Sequence, residues 1–168
     1  MTYAILLASG LGQRFKKTPT KALYLVNGKP LFMYSTNTFL KIKSISKIVL
    51  VVPPNLVDHF QKYVHSSKVL VCLGNTENRY LSLKNGMDFL NKRVKLQEND
   101  IILTHDVARP NITADIIKQN IKTCTKFNLA STLLPLADSL CEINPTSKYI
   151  DRGSKYLVQT PQSLRYKE

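Results

Sequence analysis

The chain carries four short, nearly unbroken apolar runs: Tyr3-Ala4-Ile5-Leu6-Leu7-Ala8, Lys47-Ile48-Val49-Leu50-Val51-Val52, Val69-Leu70-Val71-Cys72-Leu73 and Asp100-Ile101-Ile102-Leu103-Thr104. Each stops at turn-forming or polar residues, namely Ser9-Gly10, Pro53-Pro54, Gly74 and His105-Asp106. Continuous rather than alternating hydrophobicity is the mark of strands covered on both faces, as in a parallel sheet. A fifth strand is predicted at Leu129 to Leu134. Segments of helical length and period lie between the strands, at Leu31 to Leu40, Leu56 to Val64, Tyr80 to Leu90, and Ala114 to Cys124 behind the cap candidate Thr113. Strand and helix alternate, which predicts an α/β fold with a doubly wound, mostly parallel sheet. Ligands of such sheets bind at the carboxyl ends of the strands, where Ser9-Gly10, Gly74-Asn75 and His105-Asp106 fall.

Residues 135 to 156 break this pattern, mixing Pro, Asp, Ser, Asn, Gly and charges with short apolar pieces, and read as an arm projecting from the domain. A new apolar element, Tyr156-Leu157-Val158, follows. It is expected to leave an unpaired strand edge near Val158, with an incipient helix at Leu164 to Glu168. A chain of 168 residues with 43% apolar content holds one core, so a single domain over 1–168 is expected, truncated at its C-terminus.

Charge adds a second constraint. The formal net charge is +13, and residues 1–84 hold twelve basic against two acidic side chains, so the excess lies in the half that carries the glycine loop. Anionic partners are implied, and a polyphosphate site is one reading of that excess. A basic RNA-binding domain is disfavoured because the lysines lack interleaved stacking aromatics. Cys72, Cys124 and Cys141 are odd in number and lack C-x-x-C spacing, so neither a disulfide framework nor a zinc site is suggested. No apolar stretch is long enough to span a bilayer, so no membrane partner is expected, and a cytoplasmic location is the expectation.

The loop Ser9-Gly10-Leu11-Gly12-Gln13-Arg14, with Lys21 beyond it, combines glycines that let backbone N–H groups converge on an anion with cationic side chains that neutralise it. It lacks the Gly-Lys-Ser/Thr of a P-loop, and Phe15 stands where a dinucleotide fingerprint has its third glycine. By itself it equally fits a tight turn. Asp106 could accept a hydroxyl hydrogen bond or support Mg²⁺, whereas a lone His105 fits a hydrogen-bonded residue orienting its loop better than a metal ligand.

Four ordered stretches together carry a resemblance. Ile5 to Phe15 with Lys21 and Asn27-Gly28-Lys29-Pro30-Leu31, then Arg79-Tyr80-Leu81-Ser82 with Asn85-Gly86, then Thr104 to Pro110, then Gln159-Thr160-Pro161-Gln162 resemble the cytidylyltransferases that make CDP-methylerythritol and their ribitol-phosphate relatives. The resemblance implies a Rossmann-like nucleotidyltransferase fold with a dimerisation arm. The implied reaction transfers CMP from CTP to 2-C-methyl-D-erythritol 4-phosphate, releasing diphosphate, with Mg²⁺ held mainly by the CTP phosphates. It implies Arg14 and Lys21 as catalytic cations, and Ala8, Ser9, Gly10, Leu11, Gly12, Gly74 and Ser82 as nucleotide-binding residues. It further implies that Asp106, Arg109 and Thr160 meet the sugar-alcohol phosphate; Asp106 is also the candidate metal ligand on its own chemistry. Ser139 and Arg152 would reach it from the arm of a homodimeric partner. Departures are Asn75 for a second glycine in a loop that is one residue longer, and Thr20 and Ala22 for the usual Pro and Gln around Lys21. Asp151-Arg152 leans toward methylerythritol phosphate as acceptor, and Thr104 toward ribitol 5-phosphate. An inactive fragment is the third reading, since the family places another substrate-binding lysine beyond residue 168.

Overall fold

In a computed structural model, residues 1–10, 20–143 and 145–167 are described. The apolar runs become strands β1 (Thr2–Leu7), β4 (Ile45–Val52), β5 (Val69–Leu73) and β6 (Ile101–Asp106). They are joined by α1 (Leu31–Leu40), α2 (Val57–Gln61) and α3 (Arg79–Val94). Helix α4 (Ala114–Phe127) and strand β7 (Leu129–Pro135) follow, and β10 (Tyr156–Arg165) ends the sheet. The six strands lie in the order β5-β4-β1-β6-β10-β7. The first four are mutually parallel, and β10 runs antiparallel to both β6 and β7.

Both faces of the sheet are covered, as the unbroken apolar runs require. Ala4, Leu6, Ile48 and Leu50 face Phe32, Phe39 and Phe60 of α1 and α2 and Ile117 of α4. Their neighbours Ile5, Leu7, Val49 and Val51 face Leu90 of α3. Burying each such side chain contributes roughly 1.5–3 kcal/mol. Helix α3 lies especially close: a Cβ on Gly86 would stand 2.9 Å from methyls of Ile5 and Val51.

Two sequence expectations, the helices over 56–64 and from Leu164, need correction, and the structure adds detail at the other points. The segment expected as a helix over 56–64 is a 3₁₀ turn (Pro54–Leu56) followed by only Val57–Gln61, because Pro53 and Pro54 constrain the entry. Asn27 and Gly28, with φ of 49° and 73°, close a small hairpin between β2 (Leu25–Val26) and β3 (Lys29–Pro30), as Asn-Gly does in two-residue turns. No helix begins at Leu164: the strand that starts at Tyr156 runs on to Arg165, because a slot between β6 and β7 offers hydrogen-bonding partners on both sides. Val158 pairs with Leu133 of β7, whereas the pairing of β10 with β6 begins at Gln162, so the side of Val158 toward β6 has no strand partner among the described residues. The arm expected over 135–156 carries an isolated two-stranded ribbon, β8 (Leu140–Ile143) and β9 (Ser147–Ile150), separate from the main sheet.

The basic excess also reads differently in three dimensions. Lys41 caps α1, Lys92 and Arg93 lie in the last turn of α3, and Lys126 in that of α4. Lys68 donates to the carbonyls of Leu40 and Ile42 at the end of α1. Cations there complement the negative ends of the helix dipoles. Of the basic half, Lys41 and Lys68 serve the end of α1 in this way rather than a ligand.

Candidate functional site

Two loops leave the sheet side by side over β4. The Ala8 amide donates to Val51 O and the Gly74 amide to Val52 O, both at 2.8 Å. Their approach depends on the absence of a side chain at Gly74, where a Cβ would lie 2.6 Å from Ser9 Cβ and 2.8 Å from Val51 Cγ1. Real carbons do not approach that closely, so only glycine fits without movement.

A buried hydroxyl then joins the loops. Ser82 Oγ donates to Asn75 O (2.6 Å) and accepts from the Asn75 amide (2.9 Å), so the hydroxyl 2.6 Å away on Ser9 acts as its donor. Ser82 and Ser9 are both buried, and the capacity of the Ser82 hydroxyl is spent within the protein. Asn75 closes its own loop, its Oδ1 accepting from the amides of Glu77 and Asn78 at 2.8 and 2.7 Å. Asn78 caps α3 by accepting from the Tyr80 and Leu81 amides. On the other side, buried Thr20 donates to Gly10 O at 2.9 Å and so seats Lys21 beside the glycine loop.

The wall opposite is built on β6. Asp106 meets two guanidinium groups. Arg79 Nε and Nη2 reach its Oδ1 at 3.1 and 3.0 Å, and Arg109 Nε stands 3.8 Å from Oδ2. Arg109 also donates to Gln159 Oε1. Beneath them His105 is fully buried against Phe39, their ring centroids 5.3 Å apart. Burial pushes its pKa down to about 4, against hydrogen bonding to Arg109 and the Asp106 charge, both of which raise it. The ring is therefore neutral at pH 7. Its Nε2 faces the Arg109 carbonyl at 3.2 Å and must carry the proton, so Nδ1 accepts from the Thr160 hydroxyl at 3.0 Å. Thr160 in turn accepts from the Asp106 amide at 3.2 Å. This relay ties the ends of the 105–109 loop to each other and to β10.

Between the walls lies a cleft of about 390 Å³ at the carboxyl ends of β1 and β6, within the range of small-molecule sites. Of the residues expected from sequence, Ala8, Ser9, Gly10, Lys21 and Asp106 line it. Gly74 and Ser82 are buried beneath it and Thr160 beside β6, so these three shape the cleft rather than face it. Arg109 reaches it through Asp106. Ser139 and Arg152 lie exposed at the arm, where Arg152 donates to Ala137 O, and neither lines this cleft. Leu11, Gly12 and Arg14 lie outside the described residues. Arg79, which the sequence places in a motif but assigns no role, is the main addition: it spans the cleft to Asp106. Its position directly after the cap Asn78 was the available signal.

Asp106 does not fit a metal ligand well. Positive groups already sit beside both oxygens, and a divalent cation there would face their repulsion. Among the described residues, no group of three or more His, Cys, Asp or Glu side chains is placed to hold a metal ion, and no helix is long and apolar enough to cross a membrane.

Comparison with known proteins gives a consistent result. The family model for 2-C-methyl-D-erythritol 4-phosphate cytidylyltransferase (IspD) matches residues 2–168. The protein of that name from Clostridium botulinum (strain Eklund 17B / Type B) is 30% identical over 172 residues, spanning 99% of this chain and 74% of the relative. The crystal structure of the Francisella tularensis enzyme superposes with a TM-score of 0.80 at 24% identity, covering 99% of this chain and 73% of that one. The 4-diphosphocytidyl-2C-methyl-D-erythritol synthase from Anaerococcus prevotii DSM 20548 gives 0.81 at 22%, covering 98% and 70%. The fold expected from the strand and helix pattern is the fold of these structures.

The relay makes a pH prediction. His105 is neutral when folded down to about pH 4, whereas in the unfolded chain it gains a proton near its ordinary value of 6.5. Between those values the unfolded state binds the extra proton, so stability falls as pH drops from about 6.5 to about 4 and levels off below. The full loss is about 3 kcal/mol. Urea unfolding of wild type and His105→Asn at pH 7.5, 5.5 and 4.5 checks this: the variant should be less stable throughout yet show a flatter slope. Parallel slopes would contradict it.

Proposed function

The chain belongs to the 2-C-methyl-D-erythritol 4-phosphate cytidylyltransferase family, and on that premise we propose how its cleft carries out cytidylyl transfer. The protein is a nucleotidyltransferase that takes CMP from CTP to 2-C-methyl-D-erythritol 4-phosphate. The observation that carries the assignment of residues is the shared cleft, with Gly10 and Lys21 on one wall and Asp106 on the other.

A phosphate-monoester oxygen of the acceptor attacks the α-phosphorus of CTP. The bond from that phosphorus to the bridging oxygen of the β-phosphate breaks, and diphosphate leaves with the electron pair. Two polyanions must meet and charge grows on the α-phosphate oxygens, so positioning and electrostatic stabilisation dominate. Lys21, exposed in the cleft and seated by Thr20, is assigned to those oxygens. Arg14 is assigned to the triphosphate on the family pattern. Asp106 accepts a hydroxyl hydrogen bond of the acceptor, and Arg109 faces its phosphate. Mg²⁺, if bound, would be held mainly by the phosphate oxygens of CTP and would neutralise their charge, with no call on Asp106. Thr104, whose identity leans toward ribitol phosphate, is buried within β6 and supports no such lean.

The arm supports a homodimer. Ile143 and Tyr149 are 79% and 82% exposed, and Tyr156, Leu157 and Val158 beside them are also open. A second copy exchanging arms would cover these residues and bring Ser139 and Arg152 to the partner's cleft. The free cysteines suit a reducing, cytoplasmic setting.

With CTP, Mg²⁺ and 2-C-methyl-D-erythritol 4-phosphate, purified protein should release diphosphate, and with ribitol 5-phosphate it should not. Lys21→Ala should lower kcat about 100-fold, ~2.7 kcal/mol of barrier. A rate within about threefold of wild type would remove Lys21 from the transition state. Sedimentation equilibrium should give a dimer that Tyr149→Asp weakens, and a monomeric wild type would contradict the arm-exchange reading.

A further inference from the structure

Arg79 occupies a place that helix energetics disfavour. It is the first residue of α3, at the positive end of a 16-residue helix, where a cation is repelled rather than attracted. Its ion pair with Asp106 does not compensate through stability. The two side chains are 49% and 27% exposed, and pairs so open to water contribute roughly 0–1 kcal/mol. What the pair does have is geometry. Two donors of one guanidinium converge on a single oxygen, Nε at 3.1 Å and Nη2 at 3.0 Å, from an element 27 residues away in sequence. Both residues line the cleft.

We propose that Arg79 is a positioning residue for the acceptor, acting through Asp106. The inference rests on the cytidylyl-transfer reading above. The Arg79 fork holds Oδ1, while the Asp106 amide is held from below by Thr160. With Arg79 on Oδ1 and Arg109 beside Oδ2, the carboxylate favours one orientation, in which Oδ2 is presented to a hydroxyl of the acceptor next to the Arg109 guanidinium. The nucleotide side is held by different contacts, the Ser9–Ser82–Asn75 hydroxyl network and the Asn78 cap, none of which uses the Arg79 side chain. Loss of the fork should therefore fall on the acceptor and spare CTP. A lysine supplies charge but only a single ammonium point in place of the planar fork, so it restores part of the effect.

The test measures kcat and the two KM values for wild type, Arg79→Gln, Arg79→Lys and Asp106→Asn, and for the Arg79→Gln/Asp106→Asn double variant. Thermal unfolding is recorded for each. Arg79→Gln should raise the acceptor KM about tenfold with the CTP KM within twofold and an unchanged melting temperature. Arg79→Lys should lie between it and wild type. In the Asp106→Asn background the Arg79→Gln change should add less than twofold. Equal rises in both KM values, an unchanged acceptor KM, or full additivity in the double variant would overturn the role of Arg79. A wild type inactive with both acceptors would instead overturn the functional reading and this inference with it.

Discussion

The site depends on the contact between the backbone at Gly74 and the Ser9 side chain. Where any other residue would place a carbon 2.6 Å from Ser9 Cβ, the glycine lets the loop after β5 close against the loop after β1. Closure brings the Ser9 and Ser82 hydroxyls within 2.6 Å, and through Asn75 it fixes the start of α3. The start of α3 in turn sets where Arg79 begins its reach to Asp106. Each step is a short-range steric or hydrogen-bonding constraint, and together they make one wall of the cleft rigid before any ligand enters. Such preorganisation is what a reaction driven by positioning requires.

The other wall is held by a different device. A buried histidine, kept neutral by its surroundings, links the Thr160 hydroxyl of β10 to the Arg109 carbonyl, while Thr160 holds the Asp106 amide. The charged groups that face the cleft thus stand on an uncharged, fully paired layer. A buried charge would cost far more than a buried neutral ring with both nitrogens satisfied. Beneath the cleft the two walls are joined by the pairing of β1 with β6, and across it by the Arg79 to Asp106 ion pair, which is open to water.

Much of this was legible in the sequence because its causes are local. Unbroken apolar runs ending in turn residues located β1, β4, β5 and β6, and 3.6-residue periodicity located α1 to the residue. The identity of the cleft residues Ser9, Gly10, Lys21 and Asp106 was legible too, because the strand ends mark where ligands bind. What local pattern could not supply was partnership. Strand β10 contains Gln159-Thr160-Pro161-Gln162, which reads as a polar turn, and becomes a strand only because β6 and β7 flank it. Ser82 and Thr160 are chemically able to bind a ligand. The Ser82 hydroxyl is instead spent on Asn75 and on Ser9, 73 positions away, and the Thr160 hydroxyl on His105, 55 positions away. Arg79 has its partner across the fold, 27 residues away, where no local pattern points.

The central claim is that the closure at Gly74 builds a CTP site. Calorimetric titration of CTP with Mg²⁺ into wild type and Gly74→Ala tests it most directly, with thermal unfolding to confirm that the variant is folded. The account predicts that the added methyl, forced between Ser9 and Val51, weakens CTP binding at least tenfold, about 1.4 kcal/mol, in a protein that still unfolds cooperatively. Binding of CTP to the folded variant with wild-type affinity would contradict it.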